Sequence, residues 1–121
     1  MANSHRPKMV LVVDDDEDEL KFIERVLRGW KVIVKTCDNP EAALDLIATN
    51  HFDVVLVDQA MPRISGLELL KKMKPKSRAT RFYVLSGSVK MSFINEAERL
   101  GFHFISKDHM RGAFDLIFEQ K

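Results

Sequence analysis

Residues 9–15 read Met9-Val10-Leu11-Val12-Val13-Asp14-Asp15: five apolar residues, three of them β-branched, running straight into two carboxylates. A run this short that is apolar at every position fits a strand buried on both faces. The acids continue unbroken to Glu19. Leu20, Ile23 and Leu27 then recur at helical spacing, with Phe22 and Val26 beside them, and Gly29 offers a stop. A buried strand, an acidic turn and an amphipathic helix make one β–α unit.

The unit repeats along the chain. Lys31 to Thr36 alternates as a second strand would, and Asn39-Pro40-Glu41 starts a helix well, with Asn as cap, Pro in the first turn and Glu at the positive end of the dipole. Ala43, Leu44 and Ile47 supply its buried face. Asp53 to Val57 is a third strand ending at Asp58. Pro62 and Gly66 punctuate the next loop, and Ser65 is positioned to cap a short helix carrying Leu67, Leu69 and Leu70. Phe82 to Leu85 reads as the fourth strand, closed by Ser86-Gly87-Ser88. Phe93, Ile94, Ala97 and Leu100 mark the fourth helix, stopped at Gly101. Phe102 to Ile105 is the fifth strand, and Met110, Ala113, Phe114, Ile117 and Phe118 the last helix. Five alternating pairs imply an α/β, doubly wound architecture: a five-stranded, mostly parallel sheet with helices on both faces.

Composition narrows the function. The 121 residues suit one domain, and 45% hydrophobic content is too high for a disordered tail. Nineteen basic residues against 18 acidic leave a net charge of +1, which gives no basis for nucleic-acid contact by this domain. The apolar runs fall short of the ~18 residues a membrane span needs, so no membrane insertion is expected. Residues 1–7 read as a polar lead-in or expression remnant, and 8–121 as the folded domain. A lone cysteine, Cys37, fits a reducing cytoplasm. His5, His51, His103 and His109 lack metal-ligand spacing, so no zinc site is implied. The basic stretch of Lys71, Lys72, Lys74, Lys76, Arg78 and Arg81 is expected to be a solvated face.

Right-handed crossovers place every strand's carboxyl end along one edge, where open α/β sheets bind ligands. Asp14 and Asp15 follow the first strand, Asp58 the third, Ser86 the fourth and Lys107 the fifth. Carboxylates gathered this closely repel unless a cation shares them. Mg²⁺ is suited, since it takes oxygen ligands and completes its shell with water and phosphate. Lys107 and Ser86 can then hold phosphoryl oxygens, and the remaining carboxylate can act as nucleophile in phosphoryl transfer. Asp16, Glu17, Asp18 and Glu19 are expected to be helix-start acids.

Val12-Val13-Asp14-Asp15, Val57-Asp58-Gln59-Ala60-Met61-Pro62 with Gly66, Leu85-Ser86-Gly87 and Phe104-Ile105-Ser106-Lys107 together resemble the receiver domain of two-component response regulators, of the single-domain, chemotaxis-regulator type. The resemblance implies a flavodoxin-like (βα)5 fold with strand order 2-1-3-4-5. It implies that Asp58 accepts a phosphoryl group from a sensor histidine kinase, a histidine phosphotransfer protein or acetyl phosphate. Asp15 would bind Mg²⁺ (or Mn²⁺) directly and Asp14 mainly through water, with Asp58 and the Ala60 backbone carbonyl completing the protein's share. Ser86 and Phe104 would be the switch pair. Output would pass through the fourth helix, fifth strand and fifth helix, roughly 91–119, to an unidentified downstream protein.

The sequence also departs from the family pattern. Asp108 replaces the proline that commonly follows the lysine, so a trans Lys107–Asp108 bond is expected. Ser86 replaces the commoner threonine and keeps the hydroxyl. Ala60 and Ser88, at positions that influence hydrolysis of the acyl phosphate, offer no evident water-positioning group. With no room in 121 residues for a DNA-binding or catalytic output domain, output is expected through a partner or a domain outside this sequence. The alternatives are a phosphorylation-independent interaction module with this fold, and an aspartyl-nucleophile phosphatase. The latter normally carries a second Asp two positions after the nucleophile, where Ala60 stands.

Overall fold

Strands β1 (Met9–Val13), β2 (Ile33–Cys37), β3 (Val54–Asp58), β4 (Arg81–Ser86) and β5 (His103–Ser106) alternate with helices α1 (Glu17–Leu27), α2 (Pro40–Thr49), α3 (Gly66–Met73), α4 (Met91–Arg99) and α5 (Met110–Phe118). They come from a computed structural model describing residues 9–77, 79–87 and 90–118. The 1–7 lead-in, Arg78, Ser88 and Glu119 lie outside the described residues. All strand pairs are parallel, in the order β2-β1-β3-β4-β5. The chain therefore builds outward from β1 to β2, then reverses and crosses to β3. That reversal opens a crevice between the carboxyl ends of β1 and β3.

The sheet alternates as a doubly covered sheet must. Leu11, Val13, Val55, Val57 and Val84 face one core with Ala43, Ile47, Leu69, Leu70 and Ala97 of α2, α3 and α4. Val10, Val12, Val54, Leu56 and Leu85 face the other with Ile23, Leu27, Phe114 and Phe118 of α1 and α5. Trp30 lies edge-on to Phe114 at 5.9 Å and close to Phe118, tying α5 to the α1–β2 turn.

Local signals account for the ends. Asn39 Oδ1 accepts from Ala42 N at 3.1 Å with Pro40 in the first turn of α2, and Ser65 Oγ accepts from Glu68 N at 3.1 Å. Gly101 has φ +88°, the left-handed stop expected after α4. Several boundaries move: β3 starts at Val54 rather than Asp53, and β4 runs from Arg81 to Ser86 rather than from Phe82 to Leu85. β2 starts at Ile33, because residues 28–32 form successive turns, with Trp30 N donating to Leu27 O and Val32 N to Trp30 O. β5 starts at His103, because Phe102 N donates to Ala97 O in α4. Every described peptide bond is trans, Lys107–Asp108 included. Lys74 has more than a solvated role: its ammonium donates to Leu100 O at 2.9 Å and lies over the Phe102 ring.

Candidate functional site

Asp14 is the first residue past β1, and its N–H still donates to Cys37 O, so the ladder delivers it without slack. Asp58 is the last residue of β3, and Gln59 N beyond it donates to Leu85 O. Because Val13 pairs with Val57, the two aspartates emerge side by side at the crevice. Asp16 caps α1, accepting from Asp18 N and Glu19 N, and Glu17, Asp18 and Glu19 fill the first turn as the dipole favours.

The loop after Asp58 is held by a close approach that only glycine allows. A Cβ at Gly66 would stand 2.4 Å from Asp58 O, so the start of α3 packs directly on the end of β3. Gly66 N donates to Gln59 O at 3.0 Å, and Leu67 N to Gln59 Oε1 at 2.9 Å. Gln59 thus braces the loop carrying Ala60, a role that no sequence pattern announced.

Carboxylate oxygens of Asp14, Asp15 and Asp58 all lie within 4.8 Å of one another. Asp14 and Asp58 are 2% and 4% exposed, while Asp15 is open to solvent. Lys107 Nζ approaches Asp58 Oδ1 to 2.5 Å. These four side chains, with Asp16, Glu19 and Ala60, line a cavity of about 280 Å³. The expected residues Asp14, Asp15, Asp58, Ala60 and Lys107 therefore do meet. Ser86 closes β4, buried, in register with Ser106 beside Lys107, but it does not line that cavity. Phe104 lies on the α4 side of β5, half-buried against Phe93. Glu19, read as a helix-start acid alone, also faces the cavity and acts on Lys107; nothing in the acidic run distinguished it from its neighbours.

Electrostatics follow from the geometry. Burial pushes the Asp14 carboxyl up from 3.8 to about 7; the Asp16 N–H and Lys107 pull it back, while the Asp58 and Asp15 charges raise it further. Burial draws the Lys107 ammonium down, but its bond to Asp58 and the charges of Asp58, Glu19 and Asp14 outweigh this and leave it above the ordinary lysine value. Asp14 Oδ1 accepts from Asp16 N at 3.0 Å, whereas buried Oδ2 has no hydrogen-bond partner among the described residues. An orphaned carboxylate oxygen beside two further carboxylates is a donor set suited to a hard divalent cation.

Comparison with known proteins agrees with this architecture. The family model described as the response regulator receiver domain matches residues 10–116. The cell cycle response regulator CtrA of Brucella ovis is 31% identical over 105 residues, covering 87% of this chain and 44% of that protein. The chain spans only 11% to 44% of the length of the curated relatives it matches. Among solved structures, the receiver domain of Francisella response regulator 1452 superposes with a TM-score of 0.78 at 26% identity, covering 91% of this chain and 95% of that one. A Burkholderia pseudomallei response regulator solved with a phosphorylated aspartic acid, calcium ion and citrate gives 0.82 at 24% identity, covering 93% of this chain and 67% of that one. With 107 consecutive residues matched and the flavodoxin-like strand order 2-1-3-4-5 in place, the chain belongs to the receiver domain family of two-component response regulators.

Proposed function

We propose that this domain is a phosphoacceptor switch in which Asp58 carries the phosphoryl group. The observation that carries the reading is the placement of Asp58: buried at the switch point, paired with Lys107 and clustered with Asp14 and Asp15. An Asp58 oxygen attacks the phosphorus of a phosphohistidine on a histidine kinase or phosphotransfer protein, or of acetyl phosphate. The O–P bond forms as the bond to the leaving group breaks, and a departing imidazole nitrogen keeps the electron pair.

Asp14, Asp15 and Asp58, with the Ala60 carbonyl, would hold Mg²⁺ or Mn²⁺, which neutralises charge on the phosphoryl oxygens. Lys107 shifts from pairing with the carboxylate to pairing with a phosphoryl oxygen, keeping its charge throughout. Ser86 reaches the phosphoryl group by moving toward it, since it stands outside the cavity wall, and Phe104 follows. Partner binding at α4, β5 and α5 changes as far as those groups favour one conformer over the other. We place the domain in the cytoplasm on the same reading; no helix among the described residues is long and apolar enough to cross a membrane.

Incubation with Mg²⁺ and acetyl phosphate, followed by intact-mass analysis, tests this directly. One phosphoryl group, about 80 Da by phosphate chemistry, should appear with Mg²⁺ and be absent from Asp58→Asn. A domain that neither gains the mass nor binds beryllofluoride is a phosphorylation-independent module.

A further inference from the structure

We propose that Phe93 of α4 is the positioning residue for Phe104, holding its ring in the arrangement seen here so that the Asp58 site and α4 are coupled. This rests on the reading of Asp58 as phosphoacceptor and Phe104 as its switch aromatic. The two rings meet edge to face, with centroids 5.7 Å apart and planes at 79°. Both are half-buried, so neither is fixed by enclosure alone. Phe104 pairs in register with Val84, one pleat repeat before Ser86 pairs with Ser106. A Phe104 ring that moves toward Ser86 must therefore leave Phe93 or carry it along.

The attachment of α4 makes that contact matter. α1 buries Leu20, Ile23, Val26 and Leu27, and α5 buries Met110, Phe114, Ile117 and Phe118. α4 buries Ala97 alone. Its N-cap, Lys90, makes no side-chain capping bond, and Met91 in the first turn is 64% exposed. Among the described residues, the Phe93–Phe104 contact joins the N-terminal half of α4 to β5. An edge-to-face pair favours its own geometry by roughly two- to tenfold. Phosphorylation has to overcome that factor, and α4 is released to a new position when it does.

Calorimetric titration of the folded domain with beryllofluoride and Mg²⁺ reads this coupling. Phe93→Leu should bind about two- to tenfold tighter than the native domain, because the resting arrangement loses its latch. Phe93→Tyr, which keeps the ring, should bind as the native domain does. In a Phe104→Leu background, Phe93→Leu should change affinity little, since the partner ring is already gone. Should the leucine variant not fold, Phe93→Met keeps the volume without the ring and carries the same expectation. Unchanged or weaker binding by the ring-less variant overturns the inference, as does an equal effect with Phe104 already replaced. Failure of the native domain itself to bind would instead overturn the phosphoacceptor reading, and this inference with it.

Discussion

Asp53 stands immediately before β3 and Asp58 closes it, so one strand presents a carboxylate at each edge of the sheet. Their surroundings are opposite. Asp53 Oδ2 accepts from Met9 N at 2.9 Å, Oδ1 faces His51, and its backbone bonds Met9 O and Arg81 N, so it ties together the starts of β1, β3 and β4. Nearby, Thr80 Oγ1 donates to Phe52 O, and Lys74 bonds the end of α4. At the other edge, three carboxylates crowd within 4.8 Å, and a buried oxygen of Asp14 has no hydrogen-bond partner among the described residues. Polar groups at the first edge tie the strands together; at the second, like charges are held close and the buried Asp14 Oδ2 is left without a hydrogen-bond partner among the described residues. Buried polar groups left in that state mark function more often than architecture.

The sharpest way to break the contrast is to exchange the two fates. Asp58→Asn should abolish Mg²⁺-dependent phosphoryl incorporation outright, while Asp53→Ala should keep it and lose about 1–3 kcal/mol of stability through the orphaned Met9 N–H. Urea denaturation beside intact mass checks both. A folded Asp53→Ala domain that cannot be phosphorylated would end the division of labour.

The next effect is one of pH. Asp14 sits at about 7 in the fold against 3.8 ordinarily, so the native state favours its neutral form. That contribution to stability is complete below about 3.8, declines as pH rises and is gone above about 7. It amounts to a few kcal/mol. In chelator, the native domain should therefore lose stability between pH 5 and pH 8 relative to Asp14→Asn, and Mg²⁺ should restore it at pH 8. Parallel curves for the two proteins would mean that Asp14 is not the frustrated group.

Gly66→Ala comes third. Its Cβ would collide with Asp58 O, and overpacking against backbone costs about 1–3 kcal/mol. Gly112→Ala, where the added methyl meets nothing within 4 Å in α5, should gain about 0.5–1 kcal/mol instead. The first variant should also phosphorylate more slowly, because α3 and Gln59 position the loop beyond Asp58. Equal thermal stability of the two variants would refute the close-approach argument.

Much of this contrast was written in the chain, but unevenly. The strand ends were legible because short apolar runs stop abruptly at Asp14 and Asp58, a mixed run ends just before Lys107, and parallel connectivity brings the ends of those strands to one edge. Caps at Asn39 and Ser65 announced themselves by local chemistry. What stayed hidden depends on direction and tertiary contact. Gln59 is one polar loop residue among many until its side chain reaches Leu67 N. Phe93 is as apolar as any core residue, and its half-exposed contact with Phe104 exists only once α4 lies on β5. Phe102 reads as strand by pattern, but α4 claims its N–H first. Ser86 ends its strand as expected, yet a strand end does not say whether a side chain lines the cavity.

The smallest effect belongs to the well-satisfied edge. Ala79, in the turn before β4, has φ +61°, the left-handed region that costs a residue with a Cβ roughly 1–2 kcal/mol. The turn holds this conformation because Thr80 bonds both Ser77 and Phe52 O. Ala79→Gly removes the steric cost but gives the unfolded chain more freedom, which returns about 0.4–1 kcal/mol. The net gain should lie between about 0 and 1.6 kcal/mol, read as a small rise in the urea midpoint with phosphorylation unchanged. Strain at this edge is backbone strain, which a single glycine relieves without touching the chemistry. At the other edge it is electrostatic, and substituting Asp14 or Asp58 to relieve it removes a group the proposed reaction needs. A loss of stability in Ala79→Gly would show that the freedom given to the unfolded chain outweighs the strain relieved, so that this turn carries little strain at all.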